Sequence, residues 1–235
     1  MTEGGALSEN AIYERMVATI LDHRLSPGTK LVEDKLAAAF GVSRTRIRPV
    51  LVRLANEHII TLTPNRGAVV AQPTEEEARE VFQVRKMIEP TLIACFIQNA
   101  TAADMATLST CIAAEETART AGDMRRAIRL SGDFHLHIAN AANHQTLGRI
   151  LRELVSRTSL ILMSYSVNHL QARADATACG CLEHRALLDA IRLRDPREAA
   201  RLMHSHLQQL ESQLQFSRAT DETPDLMSLF GAVHA

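Results

Sequence analysis

The side chains with the clearest chemical potential are histidines in the C-terminal half of the chain. Three of them share a helical face with apolar residues three or four positions away: His135, His184 and His206. Imidazole nitrogens that converge in an apolar interior would bind a divalent transition ion such as Zn, Ni or Mn. Three separately satisfied core histidines would produce the same pattern, and the spacing does not separate the two interpretations.

A second set of candidate residues is the arginine-rich start of a helical pattern. Arg44, Arg46 and Arg48 alternate there, in a segment, 41–70, that holds five arginines and a single acid. The planar guanidinium can bind guanine O6 and N7, or a phosphate, at two points. The pattern is compatible with contact to double-stranded DNA and equally with a solvated helix face, and periodicity alone does not separate the two.

The candidate DNA contacts extend beyond these arginines. Hydroxyls and free backbone amides at the helix start can bind phosphate, and the hairpin tip that follows can reach the minor groove, where a glycine allows close backbone approach. The full set is Ser43, Arg44, Thr45, Arg46, Arg48, Arg53, Asn65, Arg66 and Gly67.

Two further patterns have competing interpretations. Arg85 and Glu89, one helical turn apart, could form a surface pair, a buried ion pair that joins two helices, or a site in which the guanidinium binds a ligand carboxylate. The spacing of Cys179, Cys181 and His184 superficially resembles a metal clip, but without a second pair we interpret both cysteines as small helix residues.

The elements that position these residues change in character near residue 73. Before it, prolines and glycines punctuate a helix–helix–turn–helix–hairpin order that predicts a winged helix-turn-helix. The predicted elements are helices over about 12–21, 33–40 and 43–58, the last with Pro49 inside it and distorted rather than ended there, and strands over 59–62 and 67–71.

After residue 73 helical periodicity dominates, and Thr74 with Glu77 predicts a capped helix start. Helices are predicted over 75–99, 102–121, 123–142, 146–170, 176–193 and 196–215. The expected fold is mainly α, with an N-terminal winged helix-turn-helix domain (1–73), a C-terminal all-helical antiparallel bundle (74–215) and a tail (216–235).

Composition excludes several classes of protein. A formal net charge of -1 excludes a uniformly basic coat, and 3% aromatic residues without tryptophan argue against stacking platforms for RNA or single strands. No apolar run approaches the roughly 18 to 20 residues of a membrane span, the first residues do not resemble a signal peptide, and four scattered cysteines indicate reduced thiols in a cytoplasm.

The N-terminal segment carries an ordered set of motifs over residues 10–72. They are Ser-Pro-Gly-Thr-Lys-Leu from Ser26, Gly-Val-Ser-Arg-Thr from Gly41, Arg48, Arg53-Leu54 and Pro-Asn-Arg-Gly from Pro64. In these motifs the segment resembles the DNA-binding domain of the GntR family of bacterial transcription regulators. The resemblance implies that Arg44 and Arg48 make the main DNA contacts, supported by Thr45 and Gly67. Arg46 stands where the family often has proline.

Residues 78–213 resemble the all-helical FCD effector domain of the FadR-like branch of that family, through Phe134-His135, Glu183-His184-Arg185, Asp195 and His206-Leu207. That domain often holds one metal through three histidines, which map onto His135, His184 and His206, and an aspartate. Ser131 occupies the aspartate's position, and Asp133 points to a different face. We therefore expect a three-histidine site in which water or an effector carboxylate completes the coordination, with Ser131 beside it. The family's Arg-x-x-x-Glu pattern matches at Arg85 and Glu89, and with this resemblance we favour the role in which Arg85 binds a ligand carboxylate.

These observations predict a ligand-responsive transcription regulator. A homodimer would bind a short palindromic operator, and a small organic acid entering the bundle would change the placement of its DNA-binding domains. The alternative is a metal-dependent enzyme or a metal-binding protein built on the bundle. An enzyme would also need a general base, and the chain has no Glu-x-x-His motif, while Glu183 points off the face of His184.

Overall fold

The computed structural model describes residues 7–22, 24–63, 67–166 and 174–216, with the backbone only for 174–179. The first helix of these described residues is capped by Ser8. The chain divides between Gln72 and Pro73 into two compact units. Within its described residues the N-terminal unit contains α1 (Glu9–Leu21), β1 (Lys30–Leu31), α2 (Glu33–Phe40), α3 (Arg44–Asn56), β2 (Ile60–Thr63) and β3 (Gly67–Val70).

The turn between α2 and α3 is made by Gly41, which adopts the left-handed conformation (φ 63°) that only glycine enters without strain. The predicted apolar stripe of α3 is buried: Ile47, Val50, Leu51 and Leu54. Pro49 lies on the exposed side and the helix continues through it, as expected. Ser43 is at the N-cap position, but its hydroxyl bonds to Thr45 rather than to the helix backbone.

The sheet has three strands in the order β1-β3-β2, all antiparallel, where the sequence predicted two. Strand β1 is two residues long, too short to show any periodicity. It is held by tertiary pairing: the amide of Gly28 donates to Val70, and the amide of Val70 donates to Thr29, both at 2.9 Å. The described part of the hairpin pairs Thr63 with Gly67.

The second unit is helical throughout its described residues. It contains α4 (Glu75–Asn99), α5 (Ala102–Thr120), α6 (Met124–Ala141), α7 (Gln145–Tyr165), α8 (Ala174–Arg192) and α9 (Pro196–Ser212). The predicted cap of α4 is confirmed, because Thr74 and Glu77 satisfy each other's backbone amides. Helix α7 ends at Tyr165, earlier than the predicted residue 170. The predicted tail falls, apart from Phe216, outside the described residues.

The bundle surrounds one apolar core. Helix α4 packs on α6, α7 and α9, α5 packs on α6 and α8, and α8 packs on α9. Phe82, Phe96 and Phe134 are fully buried in this core. Buried with them are charged and titratable side chains that such an interior would normally exclude: Arg85, Glu89, Glu115, His135, His184 and His206. In the described part of the chain, no helix is both long and apolar enough to span a bilayer.

Candidate functional site

The three histidines singled out by their spacing lie together in the core of the bundle. Helix α6 supplies His135, α8 supplies His184 and α9 supplies His206. One ring nitrogen from each lies within 4.8 Å of the other two. The ring centroids are 5.4 Å apart for His135 and His184, 5.3 Å for His135 and His206, and 4.6 Å for His184 and His206. The convergence that spacing left open is therefore present, and we call these residues the histidine cluster.

Each imidazole of the cluster is bonded through Nδ1 to the carboxylate of a glutamate. The distances are 2.6 Å from His135 to Glu89, 2.7 Å from His184 to Glu115 and 2.6 Å from His206 to Glu183. Each bond joins two residues that are far apart in the sequence or lie on different helices. Sequence reasoning did not assign any of the three glutamates to this role, and Glu183, which points off the face of His184, lies against His206 instead.

The electrostatics of the Glu89–His135 pair favour an ionised glutamate beside a neutral histidine, and those around Glu115 favour its carboxylate form. Burial would raise the pKa of Glu89, but the charge of Arg85 and the bond to His135 outweigh it and lower the pKa to about 2. Burial likewise opposes ionisation of Glu115, and His184 and Arg119 together lower its pKa to about 2. Burial lowers the pKa of His135 to about 3, against the pull of Glu89. Because a carboxylate can only accept, Nδ1 of His135 must carry the proton.

Burial also lowers the pKa of His206, which favours its neutral imidazole. The remaining ring nitrogen of each cluster member, Nε2, is buried and makes no hydrogen bond within the described residues. Buried polar atoms without partners are uncommon in native proteins and each asks for an explanation. Each of the three imidazoles has a buried Nε2 without a partner, and one ring nitrogen of each lies within 4.8 Å of the others, so this donor set fits Zn, Ni or Mn.

Arg85 reaches the same region from α4. It is 2% exposed, its Nε donates to Glu89 at 2.6 Å, and its Nη1 donates to Thr158 at 3.1 Å. The Arg85–Glu89 pair is thus buried, within one helix, rather than at the surface or between two helices. Nη2 of Arg85 is buried without a partner, as the three Nε2 atoms are. Because the carboxylate of Glu89 bonds both Arg85 and Nδ1 of His135, the guanidinium lies near the cluster.

Ser131 is buried on α6, one turn before His135. Across the described residues, the group of converging ligand atoms comprises the three histidines and no carboxylate. Cys181 is buried, and burial raises the pKa of its thiol to about 11, which disfavours the thiolate that metals bind. The side chain of Cys179 lies outside the described residues.

In the N-terminal unit Arg44 and Arg48, at the start of α3, are exposed and their heads face α2. Arg48 bonds to Glu33 at 3.0 Å, and Arg44 contacts Asp34 at 3.1 Å. Arg46 donates to the backbone oxygen of Leu7. An open groove of about 640 Å³ adjoins this face and is lined by Arg44, Arg48, Lys30, Thr63 and Gly67, among others.

Two other predicted DNA contacts differ in their surroundings. The guanidinium of Arg53 stacks 3.3 Å from the ring centre of Tyr13 and bonds to Asn10 and Glu57, which ties α3 to α1. Gly67 adopts a positive φ of 84° at the start of β3. Asn65 and Arg66 lie outside the described residues.

Comparison with known proteins matches both units. Residues 8–70 match the family of bacterial regulatory proteins named gntR, and residues 80–209 match the FCD domain. Among curated relatives, the HTH-type transcriptional regulator McbR of Escherichia coli K12 is 27% identical over 139 residues, which cover 57% of this chain and 63% of McbR. The chain thus spans less than two thirds of that relative. The HTH-type transcriptional repressor RspR of the same strain is 25% identical over 205 residues, 85% of each chain.

Solved structures show the same fold. The structure of E. coli McbR/YncC superposes with a TM-score of 0.73 and 22% identity over 86% of this chain and 93% of that one. A GntR transcriptional regulator from Rhodococcus sp. RHA1 gives 0.74 and 21%, over 87% and 96%.

Proposed function

Because the chain belongs to the GntR family of bacterial regulatory proteins and carries an FCD domain, we propose that it is a transcription regulator whose DNA binding responds to a ligand of the helical unit. The observation that carries this proposal is the presence in one chain of an arginine-bearing recognition helix and a buried cluster of orphaned ring nitrogens. Both matched families belong to regulators, so the alternative of a metal-dependent enzyme is not supported.

The N-terminal unit is the DNA-binding end. Helix α3 presents Arg44 and Arg48 at its exposed N-terminal half, where a recognition helix contacts base edges. The protein acts in the cytoplasm as a homodimer on a short palindromic operator, each winged helix reading one half. In the free protein Glu33 and Asp34 hold the arginine heads, and DNA phosphates or guanine edges would replace these exposed acids.

The helical unit is the sensing end. The histidine cluster would hold a divalent transition ion, which when bound supplies a Lewis-acid centre for a carboxylate oxygen. Arg85 places a buried guanidinium with one free N–H group near the same point, and a charge-assisted bond to a carboxylate would satisfy it. The ligand class that fits both features is a small organic acid. With Ser131 in place of an aspartate, the ion would have no anionic protein ligand. The carboxylate of the acid would occupy that open coordination position.

Ligand binding regulates transcription if it biases the relative placement of the two DNA-binding units in the dimer. Operator affinity then falls, because one arrangement matches the spacing of the half-sites and others do not. Relief of repression by the acid is the expected sign.

The test is a gel shift with the DNA upstream of the protein's own coding sequence. Arg44→Ala and Arg48→Ala should each weaken binding by at least about 1 kcal/mol, roughly fivefold, as expected for lost base or phosphate contacts. Arg201→Ala, an exposed arginine on α9, is the control and should bind as wild type. Because the two variants alter exposed side chains, their melting temperatures should stay unchanged. If both bound the operator as tightly as wild type, the DNA-binding proposal would fail.

A further inference from the structure

The glutamates behind the histidine cluster have no role in the function proposed so far, although two of the three are fully buried. We propose that Glu89, Glu115 and Glu183 are positioning residues, each of which fixes its histidine as the Nδ1–H tautomer so that all three bare Nε2 atoms face one point. In naming a metal ion as the ligand of that point, the inference rests on the proposed function.

The geometry of the three pairs supports this role. Glu89 on α4 bonds His135 on α6, Glu115 on α5 bonds His184 on α8, and Glu183 on α8 bonds His206 on α9. Each pair therefore braces two different helices, and five helices are tied to one centre. A ring held through one nitrogen by a carboxylate has its rotation and its tautomer fixed together.

An ionised carboxylate partner permits only one tautomer of the imidazole that it bonds. It has lone pairs and no proton, so the imidazole must donate through Nδ1 and leave Nε2 as an acceptor. A glutamine at the same position could present either its oxygen or its NH2 group. In the second orientation it would donate to Nδ1, and the proton would move to Nε2, where it blocks a metal ion.

Two of the glutamates are themselves held by arginines on their own helices. Arg85 donates to Glu89, and Arg119 donates to Glu115 through Nε at 3.0 Å and Nη2 at 2.8 Å. Each arginine keeps its carboxylate charged and oriented, so hydrogen bonds connect an arginine, a glutamate and a histidine in two places. Helix α8 leaves space for Arg119 at Gly180, where an added Cβ would lie 3.1 Å from the Arg119 guanidinium.

The first measurement needs no metal and no variant. Long-range ¹H–¹⁵N correlation spectra of the metal-free, full-length protein report the tautomer of each assigned histidine. We expect the Nδ1–H form for the three cluster histidines. Finding the Nε2–H form at any of them would overturn the inference for that pair, whether or not the protein binds metal.

The second measurement is calorimetric titration of Zn into wild type and three single variants, Glu89→Gln, Glu115→Gln and Glu183→Gln. Loss of an outer carboxylate should weaken Zn binding about 10- to 100-fold. Glu116→Gln is the matched control, because Glu116 is the next residue on α5 and pairs with Arg185 at the surface; its affinity should change less than about twofold. Circular dichroism confirms that each variant is folded, and Glu183, the most exposed of the three, is the variant least expected to unfold.

The outcomes separate the two proposals. Wild-type affinity in all three variants would overturn the positioning role while leaving the metal site in place. A wild type that binds no Zn but shows three Nδ1–H tautomers would overturn the metal part of the proposed function and leave the positioning role supported.

Discussion

Arg85 combines two demands on one side chain. Its charge is buried and compensated by Glu89, while one of its nitrogens has no partner among the described residues. Removing one member of a buried pair is strongly destabilising, because the other charge stays buried without compensation. Arg85 can therefore have a structural role and a ligand-binding role together. A variant of Arg85 needs one measurement of stability and one of the response to ligand.

We expect Arg85→Ala to lower the free energy of unfolding by about 3 kcal/mol and to abolish the rise in melting temperature that an organic acid causes in wild type. Arg79→Ala on the same helix removes a surface pair with Glu75 and should leave both properties nearly unchanged. Thermal unfolding with and without the acid measures both. A full acid-induced rise in Arg85→Ala would exclude the guanidinium from the ligand site.

The neutral side chain of Ser131 predicts a metal site that depends on its effector. Ser131→Asp would add a carboxylate one turn from His135, and we expect Zn to bind at least about 10-fold more tightly, since affinity rises with ligand charge. The operator response to acid should weaken, because the new carboxylate occupies the effector's position. Asn140→Asp, exposed on the same helix, adds the same charge elsewhere and serves as control. Equal Zn affinity in Ser131→Asp and Asn140→Asp would contradict the placement of Ser131 beside the ion.

At the scale of secondary structure, α3, which we propose as the recognition helix, carries a proline in its interior. Pro49 has no N–H group to donate to the carbonyl of Thr45, yet the helix continues because its buried face is fixed by packing on α1 and α2.

Replacing Pro49 by alanine should therefore raise the free energy of unfolding by about 1 to 3 kcal/mol and leave operator affinity within about twofold. Pro27→Ala should have the opposite effect on stability, because Pro27 precedes Gly28 (φ 83°) in a turn whose backbone conformation suits proline. We expect this variant to lower the free energy of unfolding by about 0.5 to 1 kcal/mol. Chemical denaturation of both variants gives the comparison. A Pro49→Ala protein less stable than wild type would show that the proline sets a helix distortion that the unit requires.

At the scale of the whole molecule, ligand binding to the folded bundle must appear as added stability. At a free Zn concentration 100 times the dissociation constant, the folded state gains about 2.7 kcal/mol. We expect Zn to raise the melting temperature of wild type and of His204→Ala, but not of His206→Ala. His204 is exposed on α9, two residues before the buried His206. The two variants therefore remove the same side chain from the same helix, outside the histidine cluster in one case and within it in the other. If wild type showed no rise, the three histidines would be core residues and the effector would bind without metal.

Local sequence determined the buried faces of the helices and several of the helix ends, although not the end of α7. Periodicity placed three histidines on buried helix faces, Thr74 and Glu77 marked the start of α4, and Gly41 marked the turn before α3. These features were predictable because each depends on residues within about one helical turn of each other. The family of both units was likewise recognisable from ordered motifs.

The tertiary structure decided which faces meet. Strand β1 exists because Val70 pairs with the backbone around Gly28, and no pattern within two residues could show it. The three glutamates bond to histidines 46, 69 and 23 residues away, across different helices. The spacing of residues along one helix fixes direction around its own axis and carries no information about the partner helix. The sequence by itself therefore determined that three imidazoles point inward, and the packing of five helices determined that they point at one another, with a carboxylate behind each.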